Sequence, residues 1–397
     1  MTTMLSRRSL LLAASGAALA STLPRWAFAE TPDRRVLVVL FLRGGVDGLH
    51  LIVPHGDPEY YSARKGLAVA RPKKSDGAID LDGQFGLHPR LAPLEPAYRA
   101  GELAVIHAVG SPDATRSHFE AQDYAETGTP GRRSTRTGWL ARGLASAGKG
   151  RQPLGVVALG NKRPLGLRGE IDVVTAKRLD QFRLLAPKRL ESRLGEAFEA
   201  LYAKGDDAVT RAGRDALGAT RQLAKLERDT RAGDYPDGAR PLAEVAALIR
   251  ADVGLTTAWL DVGGWDTHQA QGQRLGRLFD GLGKGLAAFR ADLGKDLERV
   301  VLLVMSEFGR TVAENGTGGT DHGHGTAMLL FGGPVRGGKV HGVWPGLARE
   351  QRYEARDLAV TTDYRDVLAE LATGHVGARD ASGVVPGHSP KKVGLLR

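Results

Sequence analysis

The feature that most constrains the fold is the alternation of short apolar runs with longer stretches of helical pattern. Residues 36–42, VLVVLFL, form a continuous and largely β-branched apolar run that opens into the glycine-rich segment RGGVDG. A run of this kind is typical of a strand that is buried on both faces of a sheet. Similar runs recur at residues 103–110, 154–160, 256–264, 300–309 and 327–333.

Amphipathic stretches separate these runs and predict helices. Residues 274–297 repeat apolar side chains at a period of 3.6, and residues 363–374 predict a closing helix with Gly374 as its C-cap. Residues 189–231 are charged and periodic in Ala and Leu. Strands that alternate with helices predict an α/β fold with a mainly parallel central sheet and helices on both faces. Within it, residues 185–250 are the predicted helical insertion.

The N-terminus has the pattern of a twin-arginine signal peptide. Arg7 and Arg8 precede a short apolar stretch that ends in AFA before Glu30. This stretch is too short and too rich in Ala, Ser and Gly to predict a membrane span. The alternatives to a signal peptide are an uncleaved anchor and a merely apolar first helix. We expect removal of residues 1–29, leaving residues 30–397 as the domain. The twin-arginine translocase would then export the folded protein to the periplasm or the medium, with no stable membrane span left after cleavage.

Composition narrows the chemistry. The chain has no cysteine, which excludes disulfides, thiolate metal sites and a cysteine nucleophile, so that His, Asp and Glu must hold any metal. The formal net charge of +10 favours anionic partners. No zinc-finger spacing, RNA-binding motif or basic helix accompanies that charge, and we therefore exclude nucleic acid as a partner.

Polar side chains concentrate in loops that follow predicted strands, where open α/β sheets bind their ligands. Two such loops contain carboxylates and imidazoles that are suitable ligands for one divalent metal. The candidate ligands are Asp266, His268, Asp321, His322 and His324, with Glu307 as an acid or base at the end of its strand. The two strands concerned are predicted neighbours. The alternative is structural: Asp266 caps the next helix, and side chains in the glycine-rich GTDHGHG bond their own backbone.

The segment TRSHFEAQDYAETG also allows two interpretations. Ser117 and Glu120 match a capping box at the start of a helix. A hydroxyl at a helix N-terminus is also well placed as a nucleophile, with His118 as a second catalytic residue on the first turn. Arginines near this segment, and one after the predicted strand at residues 300–309, could bind an anionic substrate group. They are Arg116, Arg132 and Arg310, together with Arg133 and Arg136.

Five segments in order, FLRGGVDGL, SHFEAQDYAETG, GGWDTHQAQ, SEFGRT and GTDHGHG, resemble the bacterial exported proteins of domain-of-unknown-function family 1501. The resemblance runs from about residue 34 to the C-terminus. That family resembles a branch of the alkaline phosphatase and sulfatase superfamily. The resemblance implies an alkaline-phosphatase-like sheet with divalent metal, zinc or else manganese, magnesium or calcium, at the carboxyl ends of its strands. It also brings His341 into consideration as a late metal ligand.

The function expected from this resemblance is metal-dependent hydrolysis of phosphate or sulfate esters, with an anionic small molecule or polymer as substrate. Departures from the superfamily pattern favour an alternative. Glu307 and Phe308 stand where Asp and His are expected, and Asp47 lies beyond the usual place of the first metal carboxylate. The alternative is a non-catalytic envelope protein of the same fold that binds an anionic polymer or a protein partner. A serine esterase is disfavoured because the chain has no GxSxG elbow.

Overall fold

The apolar run at residues 36–42 forms a central strand, β1, in which every side chain is buried. A computed structural model describes residues 34–179, 187–205, 207–226 and 232–397. Its strands are β1 (Val36–Leu42), β2 (Ile52–Val53), β3 (Ile79–Asp80), β4 (Gly86–Leu87), β5 (Leu103–Gly110), β6 (Val156–Leu159), β7 (Val174–Ala176), β8 (Thr257–Val262), β9 (Val300–Met305), β10 (Thr326–Phe331), β11 (Val340–His341) and β12 (Thr362–Asp363).

The main sheet has the strand order β11-β5-β10-β9-β1-β8-β6-β7, and β12 also pairs with β5. The pairs β7–β6, β6–β8, β8–β1 and β1–β9 are parallel, as are β11 and β12 with β5. Only β10 runs against its neighbours in this path. The predicted α/β fold with a mainly parallel sheet is therefore confirmed. A small antiparallel sheet has the order β2-β4-β3.

One detail of the sheet, the order of its strands, differs from the prediction, and a second, the direction of β10, refines it. The sequence places β8 beside β9, but β1 lies between them and pairs with both. The antiparallel direction of β10 follows from its connection. Residues 306–325 contain no helix, and a return to a parallel strand requires a crossover that is usually helical.

Helices cover both faces of the sheet. They are α1 (Gly48–Leu51), α2 (Pro58–Ala63), α3 (Glu95–Arg99), α4 (His118–Thr127), α5 (Trp139–Ser146), α6 (Lys188–Tyr202), α7 (Ala208–Leu226), α8 (Arg240–Arg250), α9 (Gln271–Leu293), α10 (Tyr364–Leu371) and α11 (Ala381–Val384). Short 3-10 segments are Pro89–Leu94, Leu165–Leu167, Ala232–Asp234, Asp237–Ala239, Gly294–Arg299 and Arg349–Gln351.

The closing helix ends differently from the prediction. Helix α10 passes into a π-helical turn, Ala372–Val376, which contains Gly374. The left-handed residue that ends this turn is Gly377, with φ of 90°. Gly374 is therefore not the C-cap. A glycine is needed at the later position because other residues rarely adopt this conformation.

Alternate residues of β1 enter two separate cores. Val38 and Leu40 belong to the core that includes Leu242 of α8 and Phe279 of α9. Val39 and Phe41 belong to the core on the opposite face, with α4, α5, α10 and α11. Burial on both faces explains why the strand is a continuous apolar run instead of an alternating one.

The predicted signal peptide, residues 1–29, lies outside the described residues. Across the ranges that are described, none of the helices combines the length and the apolar character needed to cross a membrane.

Candidate metal centre

Three segments that follow strands contribute side chains at one edge of the main sheet. Strands β1, β5, β8 and β9 all run in the same direction, so their carboxyl ends share this edge. The loop after β8 contributes Asp266 and His268, and the long loop after β9 contributes His322. Helix α4, which follows β5, contributes His118. The parallel topology therefore brings together residues that are far apart in the sequence.

Ligand atoms of His118, Asp266 and His322 all lie within 4.8 Å of one another. The Asp266 carboxylate is central to the group. Its Oδ1 lies 3.0 Å from His268 Nε2 and 3.3 Å from His322 Nε2, and its Oδ2 lies 3.4 Å from His118 Nε2. The two nitrogens His268 Nε2 and His322 Nε2 are 3.0 Å apart. We call His118, Asp266, His268 and His322 the cluster.

Each imidazole of the cluster uses its other nitrogen, Nδ1, to bond an oxygen. His118 Nδ1 lies 2.9 Å from Glu307 Oε1, His322 Nδ1 lies 2.8 Å from the carbonyl of Arg116, and His268 Nδ1 lies 3.3 Å from Asp321 Oδ1. Carbonyl and ionised carboxylate oxygens only accept, so all three Nδ1 atoms donate. In the neutral rings, Nε2 therefore carries the lone pair and faces Asp266. Metal-binding histidines have this arrangement in most metal sites.

The cluster fits a divalent cation on two further grounds. His118 Nε2 is a buried atom with no hydrogen-bond partner. Lone pairs on His268 and His322 also face each other, which is unfavourable unless a proton or a cation lies between them. Tetrahedral zinc with imidazole ligands separates its ligand atoms by about 3.3 Å, close to the separations between the Asp266 oxygens and the three imidazoles. The residues therefore suit zinc or a similar ion.

Arg310 fixes the backbone around the cluster. Its buried guanidinium donates to the carbonyls of Gly44, Trp265 and Thr320, while its Nε donates to the carbonyl of Gly45. Its Nη2 also donates to Asp266 Oδ1 at 2.6 Å, and its Nη1 lies 3.5 Å from His268 Nε2. The sequence predicts Arg310 as a substrate-anion ligand. Its donors are instead directed at the protein, because a buried guanidinium requires acceptors.

The charges of the cluster follow from these contacts. Burial raises the pKa of Asp266, but the hydrogen bond and the charge of Arg310 outweigh it and lower that pKa to about 2. The hydrogen bond to Glu307 is the main reason that the pKa of His118 is raised. Burial lowers the pKa of His322, which favours its neutral form. A carboxylate and a neutral imidazole are the forms that bind metal.

Glu307 acts on the cluster through His118. Its carboxyl group is fully buried, and Oε1 accepts hydrogen bonds from His118, from Gln122 Nε2 at 2.9 Å and from the backbone N–H of Gly44 at 2.8 Å. Burial raises the Glu307 pKa, but these hydrogen bonds lower it below its ordinary value. The predicted acid or base is thus an ionised group that holds the His118 ring.

Asp321 also lies behind an imidazole. Its Oδ1 accepts from His268 Nδ1 and from Asn315 Nδ2 at 3.2 Å. The Asn315 hydrogen bond is the largest cause of its lowered pKa. Asn315, which no predicted motif contains, also bonds the carbonyl of His268 at 3.0 Å. Its position in the turn ENGTGG is the one available signal, because Asn commonly bonds nearby backbone in turns.

Two other predicted ligands lie outside the cluster. His324 Nε2 donates to the carbonyl of Ser111 at 2.7 Å, and its ring packs on Tyr353 with centroids 4.5 Å apart. His341 Nε2 donates to the carbonyl of Arg336 at 3.1 Å. Each of these two rings therefore has a backbone carbonyl as a hydrogen-bond partner.

The remaining predicted site residues are Ser117, Arg116 and Arg132. Ser117 is the N-cap of α4, but its side chain makes no capping hydrogen bond, so the capping box with Glu120 does not form. Glu120 accepts from Thr115 Oγ1 instead. Arg116 is paired with Asp357 and Glu354. Arg132 is exposed in the loop after α4.

Glycine allows the two cluster loops to approach each other. A Cβ atom on Gly319 would collide with the carbonyl of His268, and one on Gly323 would collide with the backbone of Arg310. The glycines of GTDHGHG therefore allow close contact between backbone segments.

Asp47 belongs to a separate buried network. It caps α1 by accepting from the N–H groups of Leu49 and His50, and its Oδ2 bonds Arg64 at 2.8 Å and Gln271 at 2.5 Å. Although burial raises the Asp47 pKa, the charges of Arg64 and His50 hold it well below its usual range. Asp47 therefore stabilises the start of the first loop and is not part of the cluster.

Comparison with solved structures finds low similarity across most of the chain. A protein in the alkaline phosphatase superfamily from Vibrio parahaemolyticus is 11% identical with a TM-score of 0.38, covering 89% of this chain and 69% of that chain. A 2-O GAG sulfatase is 9% identical with a TM-score of 0.36, covering 90% and 76%. A phosphonate monoester hydrolase from Silicibacter pomeroyi is 12% identical with a TM-score of 0.33, covering 89% and 75%. These values carry no inference about the chemistry of this chain.

No curated protein sequence matches the chain. A family model does match, and it spans residues 34–371, which include every residue of the cluster. The chain therefore belongs to the family described as "Protein of unknown function (DUF1501)".

Proposed function

We propose that this protein is a metal-dependent hydrolase of phosphate or sulfate esters, with the cluster as its metal site. One observation carries the proposal: three imidazoles each donate Nδ1–H to an oxygen and turn Nε2 toward the same carboxylate. Histidines that bind a metal almost always donate their other ring N–H in this way. The resemblance of the sequence motifs to the alkaline phosphatase and sulfatase superfamily supports the reaction class.

In this proposal His118, Asp266, His268 and His322 hold the metal. A bound divalent ion would supply a Lewis acid that polarises an ester oxygen. Glu307 keeps the Nδ1 proton of His118 in place, and Asp321 does the same for His268. Arg310 holds Asp266 so that both of its oxygens face imidazoles. The hydroxyl of Ser117 is the proposed nucleophile, since it precedes His118 directly and is not used as a helix cap.

Metal content tests the first half of this proposal. The mature chain, residues 30–397, is purified after folding in the cytoplasm, and zinc, manganese, magnesium and calcium are quantified. We expect near-stoichiometric metal in the wild type and its loss in Asp266→Ala and His322→Ala. The matched control is His388→Ala, because His388 bonds Asp366 and belongs to another part of the fold. Unchanged metal content in the two cluster variants would refute the assignment.

Hydrolysis tests the second half. Chromogenic phosphate monoesters, phosphate diesters and sulfates are supplied to the protein loaded with each of the four metals. We expect turnover of at least one class, and loss of that turnover in His322→Ala. Ser117→Ala should also abolish turnover but retain the metal, because Ser117 is proposed as a nucleophile and not as a ligand.

The second candidate is a non-catalytic protein that holds a metal and binds an anionic polymer or a protein partner. The engagement of Arg116 and Arg310 counts against ester binding at the cluster, and so for a non-catalytic role, since these two predicted anion ligands already bond carboxylates and carbonyls. Stoichiometric metal without turnover of any ester, together with tight binding of an anionic polymer, would support this candidate. For either candidate we propose export through the twin-arginine pathway, which detection of the mature chain in the periplasm or medium would test.

A further inference from the structure

An exposed aromatic residue, Phe119, directly follows the cluster residue His118 on α4. Phe119 is 88% exposed, the highest value among the large hydrophobic side chains that are exposed in the described part of the chain. It follows His118 directly, so the two Cα atoms are about 3.8 Å apart. A phenylalanine in such a position leaves most of its apolar surface in water, where an apolar group of a ligand can cover it.

The rest of the first turn of α4 is already engaged. His118 faces Glu307 and the cluster, and Gln122, one turn later, bonds the same glutamate. Glu120 bonds Thr115 and forms an ion pair with Arg133, whose side chain is 72% exposed. The turn therefore presents an apolar ring to solvent directly after His118, and the exposed cation Arg133 is paired with the next residue, Glu120.

This combination suits one kind of occupant, the organic group of an anionic ester. An ester whose phosphoryl or sulfuryl group lies at the cluster extends its alcohol portion outward from His118. A ring in that portion could stack on Phe119, and an additional anionic group could reach Arg133. A short alkyl group would be too small to cover the exposed ring.

We propose that Phe119 is a specificity-determining residue that selects esters with a ring in the organic group. This inference rests on the proposed function and extends it from the reaction class to the substrate class. Aromatic stacking contributes a modest free energy per pair. We therefore expect a preference of about fivefold for a ring-bearing ligand over a methyl-bearing one.

The test uses two ligands that cannot be hydrolysed as esters, phenylphosphonate and methylphosphonate. Their affinities for the zinc-loaded mature protein are measured by calorimetry for the wild type, Phe119→Ala and Leu201→Ala. Leu201 is the matched control because it is also an exposed apolar residue, at 65%, but lies on α6, which contributes nothing to the cluster. Zinc content and thermal unfolding are recorded for each variant.

The affinity ratio of phenylphosphonate to methylphosphonate decides the inference. We expect a ratio of about five in the wild type and in Leu201→Ala, and a ratio close to one in Phe119→Ala. A ratio near one in the wild type, or a ratio that survives in Phe119→Ala, would overturn the role of Phe119 while leaving the metal site intact. If neither phosphonate binds the zinc-loaded wild type, the proposed function fails first, and the inference fails with it.

Discussion

Glu307 Oε1 lies 2.9 Å from His118 Nδ1, although 189 residues separate the two in the sequence. The glutamate side chain is fully buried, and the imidazole is one of the residues of the cluster. A buried carboxylate that accepts from a histidine fixes the orientation of the ring and increases its basicity. The contact therefore links the end of β9 to the start of α4 and sets the direction in which His118 Nε2 points.

Glu307→Gln should weaken metal binding without removing a ligand. The amide keeps the size of the side chain but loses the charge. The lone pair of His118 Nε2 then becomes less basic and binds a metal more weakly. We expect metal affinity to fall by about 10- to 100-fold. Competition with a chelating dye measures the change. Glu314→Gln is the control, since its carboxylate bonds only the backbone of Gly66 among the contacts described; equal losses in both variants would contradict the role of Glu307.

The sequence predicts the sheet well because its strands are buried on both faces. A strand such as β1 must be apolar throughout, and a continuous run is visible without any knowledge of its neighbours. The order of strands is harder to predict. Nothing in the runs around β8 and β9 shows that β1 lies between them, because all three strands are buried over most of their length.

The sequence predicts which loops contribute to the candidate site, but it does not predict what each side chain bonds there. Asp266, His268 and His322 follow strands, and the topology brings them together. Their partners depend on side-chain directions that spacing does not reveal. Arg310 shows the difference: an arginine after a strand is compatible with anion binding, yet its full burial commits it to carbonyls and to Asp266.

The metal-free protein should lose stability as the pH rises through the pKa of His118. The contact with Glu307 raises that pKa. The His118–Glu307 pair therefore makes its full contribution to the free energy of unfolding below about pH 6.5, the ordinary pKa of histidine. Its contribution declines as the pH rises through the higher value of the folded state. Urea unfolding between pH 5.5 and 8.5 measures the slope of the free energy of unfolding against pH, and His118→Gln should reduce that slope. An identical slope in the variant would show that His118 does not titrate in this way.

Gly319→Ala should separate the two cluster loops. The added methyl group would collide with the carbonyl of His268, which also accepts hydrogen bonds from Asn315 and Thr317. Movement of that carbonyl would shift the His268 ring, so we expect weaker metal binding together with destabilisation of about 1–3 kcal/mol. Gly316→Ala is a control in the same loop, because nothing lies within 4 Å of the position of its added Cβ. Equal metal affinity in both variants would contradict the proposed close contact.

Asp47→Asn should destabilise the protein far more than loss of an ordinary helix cap. The side chain caps α1 and also neutralises Arg64, whose guanidinium is fully buried. Removing one partner of a buried ion pair leaves the other charge uncompensated, and we expect a loss of about 3–5 kcal/mol in the free energy of unfolding. Asp380→Asn is the matched control: Asp380 caps α11 through the N–H groups of Ser382 and Gly383 but its contacts are exposed. Its replacement should cost about 1 kcal/mol or less. Urea unfolding at pH 7 compares the two variants, and similar losses would mean that the Asp47–Arg64 pair adds little beyond the cap.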